Sequence, residues 1–436
     1  MIGTYRRKLL IASAVLATGS LALTAIPAQA FSVRNEIGVT STSIKLGITL
    51  PMTGAASPGY NKIPGAMKAY FDYVNASGGV NGRKISLVVK DDAYTPTASV
   101  QATNELILKD KVFAVVGALG TANNKAVAAL VNPGRRGIPD LFVNTGFSGF
   151  AVKKSYPTTF SLFPSYVMEA KILSMYIKDK FPGKKLALLY QADDFGRDAL
   201  AGFKTGGLTF DTYIPYAPLS QATPTVPPTW ISKLQAAGSE VVVLFGVSSA
   251  TAAALGAAYA KSYRPQWILG SVGGDATAIK LAGVPAPLFT GVQTASFLPA
   301  PADTTDEYVK LFQTINTKYN PGVTFDNNIL AGMNTAFVTV QAIAAAGKNL
   351  TRKALIAAIE TKGSTFASAG LTPMAPTATT HAGYNGYWFG TYDGTATLKP
   401  NDGVYTVYTT DSASGAVVKS TYKRPDMPLN GLPTSK

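Results

Sequence analysis

Ile44 to Leu50 alternates apolar and polar residues and then runs apolar into Pro51, the pattern of a strand that ends in a loop. From Pro64 to Val74, the residues Met67, Ala69, Tyr70, Phe71 and Val74 recur at helical spacing. Ser77-Gly78-Gly79 and Asn81-Gly82 then stop the helix and turn the chain. Ile85–Val89 reads as the next strand, ending at Asp91-Asp92, and Thr97–Leu108 as the next helix, with Val100, Leu106 and Ile107 on its apolar face. Val112–Val116 is unbroken apolar sequence, as a strand covered on both faces requires. The alternation resumes with strands at Leu186–Tyr190 and Val241–Phe245, each followed by a helical segment, near 196–204 and 250–260. Buried strands alternating with helices argue for parallel sheets flanked by helices. Two such runs, divided near residues 160 and 295, predict two Rossmann-like α/β lobes. The proline-rich stretches 214–229 and 284–301 read as loops or crossovers. After about residue 371 the pattern turns to Tyr, Thr and Gly. Tyr387-Trp388-Phe389 and Tyr405–Tyr408 predict hairpins, with turns at Tyr392-Asp393-Gly394 and Asp402-Gly403.

The first thirty residues do not belong to this pattern. Arg6, Arg7 and Lys8 precede an apolar stretch, Leu9–Ile26, and Ala28-Gln29-Ala30 follows it, as in a cleaved secretory signal peptide. The arginine pair also loosely fits a twin-arginine export signal. No further run of 18 apolar residues is evident, so the processed chain is expected to carry no stable membrane insertion.

Composition narrows the chemistry. The chain has 436 residues, 47% hydrophobic and 14% charged, enough apolar material for a large core. It has no cysteine, which excludes disulfides, thiolate metal sites, a cysteine nucleophile and a lipid-anchored cysteine. A single histidine, His381, in a turn-like context, is expected to be structural and leaves little room for zinc hydrolases or histidine-dependent triads. The net charge of +15 becomes +12 once the three basic residues of the leader are removed. The basic residues are scattered rather than tracked, and an exported chain does not meet chromosomal DNA, so no nucleic-acid partner is expected. Phosphate-binding and hydrolase signatures are missing from the sequence. Gly117–Asn123 follows a buried strand and opens a helix. Such a turn offers N–H groups and a hydroxyl to an anion, or is simply a connection. Asp91-Asp92 and Asp193-Asp194 stand at strand ends, as caps and turns or as acid–base groups.

Taken in order, Gly47-Ile48-Thr49-Leu50-Pro51-Met52-Thr53-Gly54, Val74–Lys84 with its Gly78-Gly79-Val80-Asn81-Gly82-Arg83, Asp91–Pro96, Val115-Val116-Gly117 leading to Thr121, Asp193–Gly196 and Thr380–Gly383 resemble the branched-chain-amino-acid-type substrate-binding proteins of ATP-binding-cassette importers, over about residues 44–390. The resemblance implies a type I periplasmic-binding-protein fold, two lobes joined by three hinge strands and closing on a small ligand. It divides the chain into a signal peptide (1–30), lobe I (31–160), lobe II (161–295), a return to lobe I (296–370), and a completion of lobe II with a β-rich tail (371–436). It implies ligand contacts from Tyr60, Thr121, Gly146, Ser148 and Phe195. Ser248 and the Val272-Gly273 pair fall near the places where amino-acid-binding relatives hold the ammonium with an aromatic and a glutamate. Both are absent here, and Asp275 is the nearby acid. The implied function is capture of a small polar solute (amino-acid-like, carboxylate or amide) and delivery to the permease subunits of an importer. The protein would be exported to the periplasm or beyond, monomeric, without lipid anchor, catalytic residue, cofactor or metal. The same sequence also admits a ligand-sensing domain partnering a membrane receptor, and a secreted hydrolase working through carboxylates.

Overall fold

A computed structural model describes residues 36–218, 227–281 and 283–433. The expected signal peptide and most of the proline-rich loop after residue 218 lie outside the described residues. Lobe I opens with β1 (Ser43–Leu50), α1 (Ile63–Ala76), β2 (Lys84–Asp91), α2 (Pro96–Leu108), β3 (Ala114–Val116), α3 (Thr121–Leu130), β4 (Asp140–Val143) and β5 (Thr159–Ser161). Its strands form one parallel sheet in the order β2-β1-β3-β4-β5. β3 is shorter than the apolar run that announced it. Val112 and Phe113 are fully buried but act as its lead-in, with the Phe113 N–H bonded to the Lys45 carbonyl at 2.7 Å.

Lobe II comprises α4 (Tyr166–Lys180), β6 (Leu186–Gln191), α5 (Asp194–Thr205), β7 (Thr212–Tyr216), α6 (Pro227–Ala236), β8 (Val241–Phe245), α7 (Ser248–Ala260), β9 (Gln266–Leu269), α8 (Ala276–Leu281) and β10 (Gln293–Ser296). Strands β7-β6-β8-β9-β10 run parallel in that order. β7 takes the edge, where Pro215 costs no ladder bond on its open side. The expectation of a loop across 284–301 is corrected: β10 lies inside it. Its sequence, Gln-Thr-Ala-Ser, has no apolar alternation, and its two sheet partners supply the order that the residues do not announce.

The chain then returns to lobe I as α9 (Glu307–Tyr319), α10 (Asn327–Ala346) and α11 (Arg352–Lys362), and the hairpin β11 (Met374–Pro376) and β12 (His381–Tyr384) follows. α10 corrects a second expectation. It has the length and a mean hydropathy of 1.5 that fit a membrane span, yet 72% of that window is buried, against α1, α9 and α11. The hairpin packs on β5 and on the end of α11, so residues 371–384 belong with lobe I rather than with lobe II. His381 is its buried anchor. One ring nitrogen meets the Thr159 carbonyl at 2.9 Å, the other the Glu360 carboxylate at 3.1 Å, and the ring stacks on Phe160.

Lobe II is completed by β13 (Gly386–Tyr392), antiparallel to β10, then β14 (Leu398–Pro400), β15 (Tyr408–Thr409) and β16 (Val418–Lys419). Of the expected Tyr405–Tyr408 strand only Tyr408 joins a ladder. The Tyr405 hydroxyl instead bonds Asp303 at 2.7 Å. The tail then straps back over lobe I. Arg424 pairs with Asp306 at 2.7 Å, and the Tyr70 and Tyr73 hydroxyls donate to the Gly431 and Asn430 carbonyls, each at 2.6 Å.

Three segments cross between the lobes: after β5, after β10 and between β12 and β13. The third bonds to the first, the Tyr384 N–H to the Leu162 carbonyl at 2.9 Å, and the second is held by the segment ahead of β11, through the Leu371 N–H to the Phe297 carbonyl at 2.9 Å. Each contributes one ring to a cluster. Phe163 meets Phe297 edge-on at 4.9 Å, and Phe297 meets Tyr384 at 5.3 Å. Gly383 permits this approach, since a Cβ there would stand 2.3 Å from the Leu162 carbonyl oxygen.

Candidate ligand-binding site

In a parallel sheet wound in both directions, the loops at the carboxyl ends of the strands part where the winding reverses, and a crevice opens there. Lobe I reverses between β1 and β3, lobe II between β6 and β8. The two crevices face one another over about 850 Å³ of empty space, part of it continuous with solvent.

Lobe I contributes Gly120 and Thr121 from the start of α3. Gly120 holds φ 105°, and no side chain caps the helix, so its first turn presents N–H groups and the positive end of its dipole to the cleft. Thr121 is 3% exposed, and its hydroxyl shares a 2.7 Å hydrogen bond with Thr145. Tyr60 lies in the short helical turn before α1 and reaches across to lobe II, where its hydroxyl donates to the Val272 carbonyl at 3.3 Å. Burial pushes that phenol up to about 12. Tyr94, Asn144, Asn327 and Asn328 also line this wall.

Lobe II supplies Phe195 from the first turn of α5, with its ring 4.4 Å from that of Tyr166 and 5.0 Å from that of Phe245. Asp275 caps α8, accepting from the Thr277 and Ala278 N–H groups at 2.8 and 3.2 Å, and Asn328 of lobe I donates to its other oxygen. Burial first, and then the neighbouring Asp326, raise the Asp275 carboxyl well above the usual carboxylate range. Among the described residues lining the cleft, Asp275 is the only ionisable carboxyl, and no lysine or arginine is present. The floor is the hinge itself, through Phe163 and Phe297.

The structure therefore brings Tyr60, Thr121, Phe195 and Asp275 to one cavity. Gly146, Ser148 and Ser248 do not line it. Gly146 makes room for the first crossing, because a Cβ there would lie 2.4 Å from the Pro164 carbonyl oxygen. Ser148 gives both its N–H and its hydroxyl to Asp198 on α5. Ser248 donates to the Val272 carbonyl at 3.3 Å, behind the cavity wall. Tyr94, Tyr166 and the hinge phenylalanines escaped the sequence reading. In sequence they are aromatic residues at core-like positions, and nothing local distinguishes a ring that faces a cleft from one that faces a core. The paired acids resolve as structural groups. Asp91 collects the Met52, Thr53 and Ala93 N–H groups, Asp193 caps α5, and Asp194 pairs with Lys125 and Arg197.

Among the described residues, contacts that tie lobe to lobe across the cleft include Tyr60 to Val272, Asn328 to Asp275, Gln191 to Tyr94, Lys125 to Asp194 and Ser148 to Asp198. The lobes are thus closed on the cleft.

A family model described as periplasmic binding protein matches residues 43–397. An amino acid binding protein of Pseudomonas aeruginosa is 29% identical over 180 residues, which are 38% of this chain and 45% of that one, so the match spans less than half of that relative. The Leu/Ile/Val-binding protein homolog 3 of Brucella melitensis is 24% identical over 66% of this chain and 76% of its own. A branched chain amino acid ABC transporter structure from Thermus thermophilus, with bound valine, superimposes with a TM-score of 0.72 at 21% identity, covering 86% of this chain and 98% of that chain. With the doubly wound lobes, the three crossings and the cleft between them, the match places this chain in the periplasmic binding protein family.

Proposed function

We propose that the protein captures a small organic solute between its lobes outside the cytoplasm and delivers it to the permease of an ATP-binding-cassette importer. The observation that carries this reading is the cleft at the facing carboxyl ends of two sheets, closed by contacts that join the lobes and floored by their hinge. A ligand held there touches both lobes, so it binds the closed form better and shifts the population toward it. In this reading the uncapped start of α3, with the Thr121 hydroxyl, receives a carboxylate of the ligand, and the aromatic wall receives its apolar body. Residues 1–30 export the chain, which then works in the periplasm or outside the cell without a lipid anchor, as a monomer and without catalysis.

The test has two steps. A thermal-shift screen of small solutes on the chain lacking residues 1–30 should find a compound that raises the melting temperature, since ligand at about 100 times its Kd adds about 2.7 kcal/mol. Deleting the gene from its host should then abolish uptake of that compound in labelled form. Unchanged uptake would remove the transport role.

A further inference from the structure

We propose that the cleft selects a carboxylate whose apolar body carries no ammonium group over the amino acid of the same skeleton. The inference rests on the capture reading and names its solute class. An ammonium brings three donors and needs three acceptors in a dehydrated site. In the 270–275 loop, the Val272 carbonyl and the carboxylate of Asp275, the single lining acid, are already committed to the protein's own donors. The Val272 carbonyl takes two hydroxyls, those of Tyr60 and Ser248, both at 3.3 Å. One oxygen of Asp275 is held by the two N–H groups at the start of α8, and the other by the Asn328 amide from the opposite lobe. Ser271 faces away from the ligand in chemical terms. Its N–H and hydroxyl both go to Glu169 beneath the wall, at 2.5 and 2.9 Å.

Three protein groups, the Tyr60 hydroxyl and the Asn328 amide at the cavity and the Ser248 hydroxyl behind its wall, thus take up acceptors that an ammonium here would need. Two of them belong to the contacts that hold the lobes together. A ligand amine seated here would have to displace closure contacts in order to be satisfied, which opposes the closed state that binding requires. The remaining wall asks for something else: the rings of Tyr60, Tyr94, Phe163, Tyr166, Phe195 and Phe297 suit a planar or branched hydrocarbon body.

The experiment is calorimetry on the chain lacking residues 1–30 with two matched pairs, 4-methylpentanoate against leucine and 3-phenylpropanoate against phenylalanine. In at least one pair the amine-free acid should bind tighter by about ten-fold or more, the scale set by leaving one charged group short of partners. Tyr60→Phe and Asn328→Ala, which vacate acceptors on Val272 and Asp275, should each narrow that preference. Leucine or phenylalanine binding as tightly as its amine-free partner, or tighter, would overturn the proposal. If scattering then showed closure on the amino acid, capture would stand with a different solute. Failure of all four probes to bind would also overturn it, and capture would then be judged on the wider screen.

Discussion

Asp198 accepts both the backbone N–H and the hydroxyl of Ser148, at 2.6 and 3.0 Å, and the two residues stand on opposite lobes. Ser148 is thereby a closing contact, although its place in the sequence resembled that of a ligand hydroxyl. Asp198 is mostly buried by the contact, and that burial pushes its carboxyl up to about 6. Lys125 and Asp194 form an ion pair across the same edge, so the N-terminal half of α5 latches onto lobe I at two points.

Ser148→Ala should weaken binding of any ligand by about 3- to 10-fold, the scale of one ordinary net hydrogen bond, because the backbone N–H stays on Asp198. In an Asp198→Ala background the same substitution should have almost no further effect. Calorimetry of the four proteins forms the double-mutant cycle that checks it. A loss specific to one ligand, and independent of Asp198, would return Ser148 to the binding site.

Thr121 is different, because it lines the cavity. Thr121→Ala removes a hydroxyl at the start of α3 and should weaken carboxylate binding by about 10- to 150-fold, with little change in melting temperature. An unchanged Kd would take Thr121 out of the site.

Phe195 is both wall and core, packed on Tyr166 and Phe245. Phe195→Ala should therefore cost about 3–5 kcal/mol of stability, and a loss of binding in that variant would be hard to assign. Phe195→Leu keeps most of the volume and removes the ring. It should leave folding near normal in thermal melts and lower affinity about 2- to 10-fold. Full affinity in Phe195→Leu would mean that the ring does not face the ligand.

Asp140 on β4 is buried with one partner, the Thr159 hydroxyl at 3.2 Å, and burial lifts its carboxyl to about 7. The folded protein prefers this group protonated. The stability it contributes is complete below the ordinary carboxylate range and is lost as pH rises through about 7. Glu169, also lifted to about 7 by burial, acts in the same direction. The melting temperature should fall between about pH 5 and about pH 8, and Asp140→Asn should flatten part of that fall. A melting profile whose slope is identical in wild type and variant would contradict the assignment.

Export is checked directly. N-terminal sequencing of protein recovered from outside the cytoplasm should begin at Phe31, after Ala28-Gln29-Ala30. Recovery of a chain that retains Arg6 and Arg7 would contradict the cleavage reading.

What the sequence determined by itself is what local pattern can encode. Val241–Phe245 is an apolar run and is β8 end to end, and Pro64–Val74 lies within α1, because burial on both faces or on one stripe demands just those periodicities. Thr121, Phe195 and Asp275 were placed near a ligand by the resemblance to a known family, and in the structure each sits at a strand-to-helix turn, where parallel sheets open. Only the tertiary structure decided β10, whose polar residues become a strand between β9 and β13, and α10, whose membrane-like apolarity is absorbed by α1, α9 and α11. It also decided which hydroxyls face a ligand and which face the other lobe. Ser148 and Asp198 are fifty residues apart, and Asn328 and Asp275 fifty-three. Their pairing depends on how two separately folded sheets are held by three crossings. No periodicity along the chain carries that information, because the partner that satisfies each polar group arrives from a different lobe.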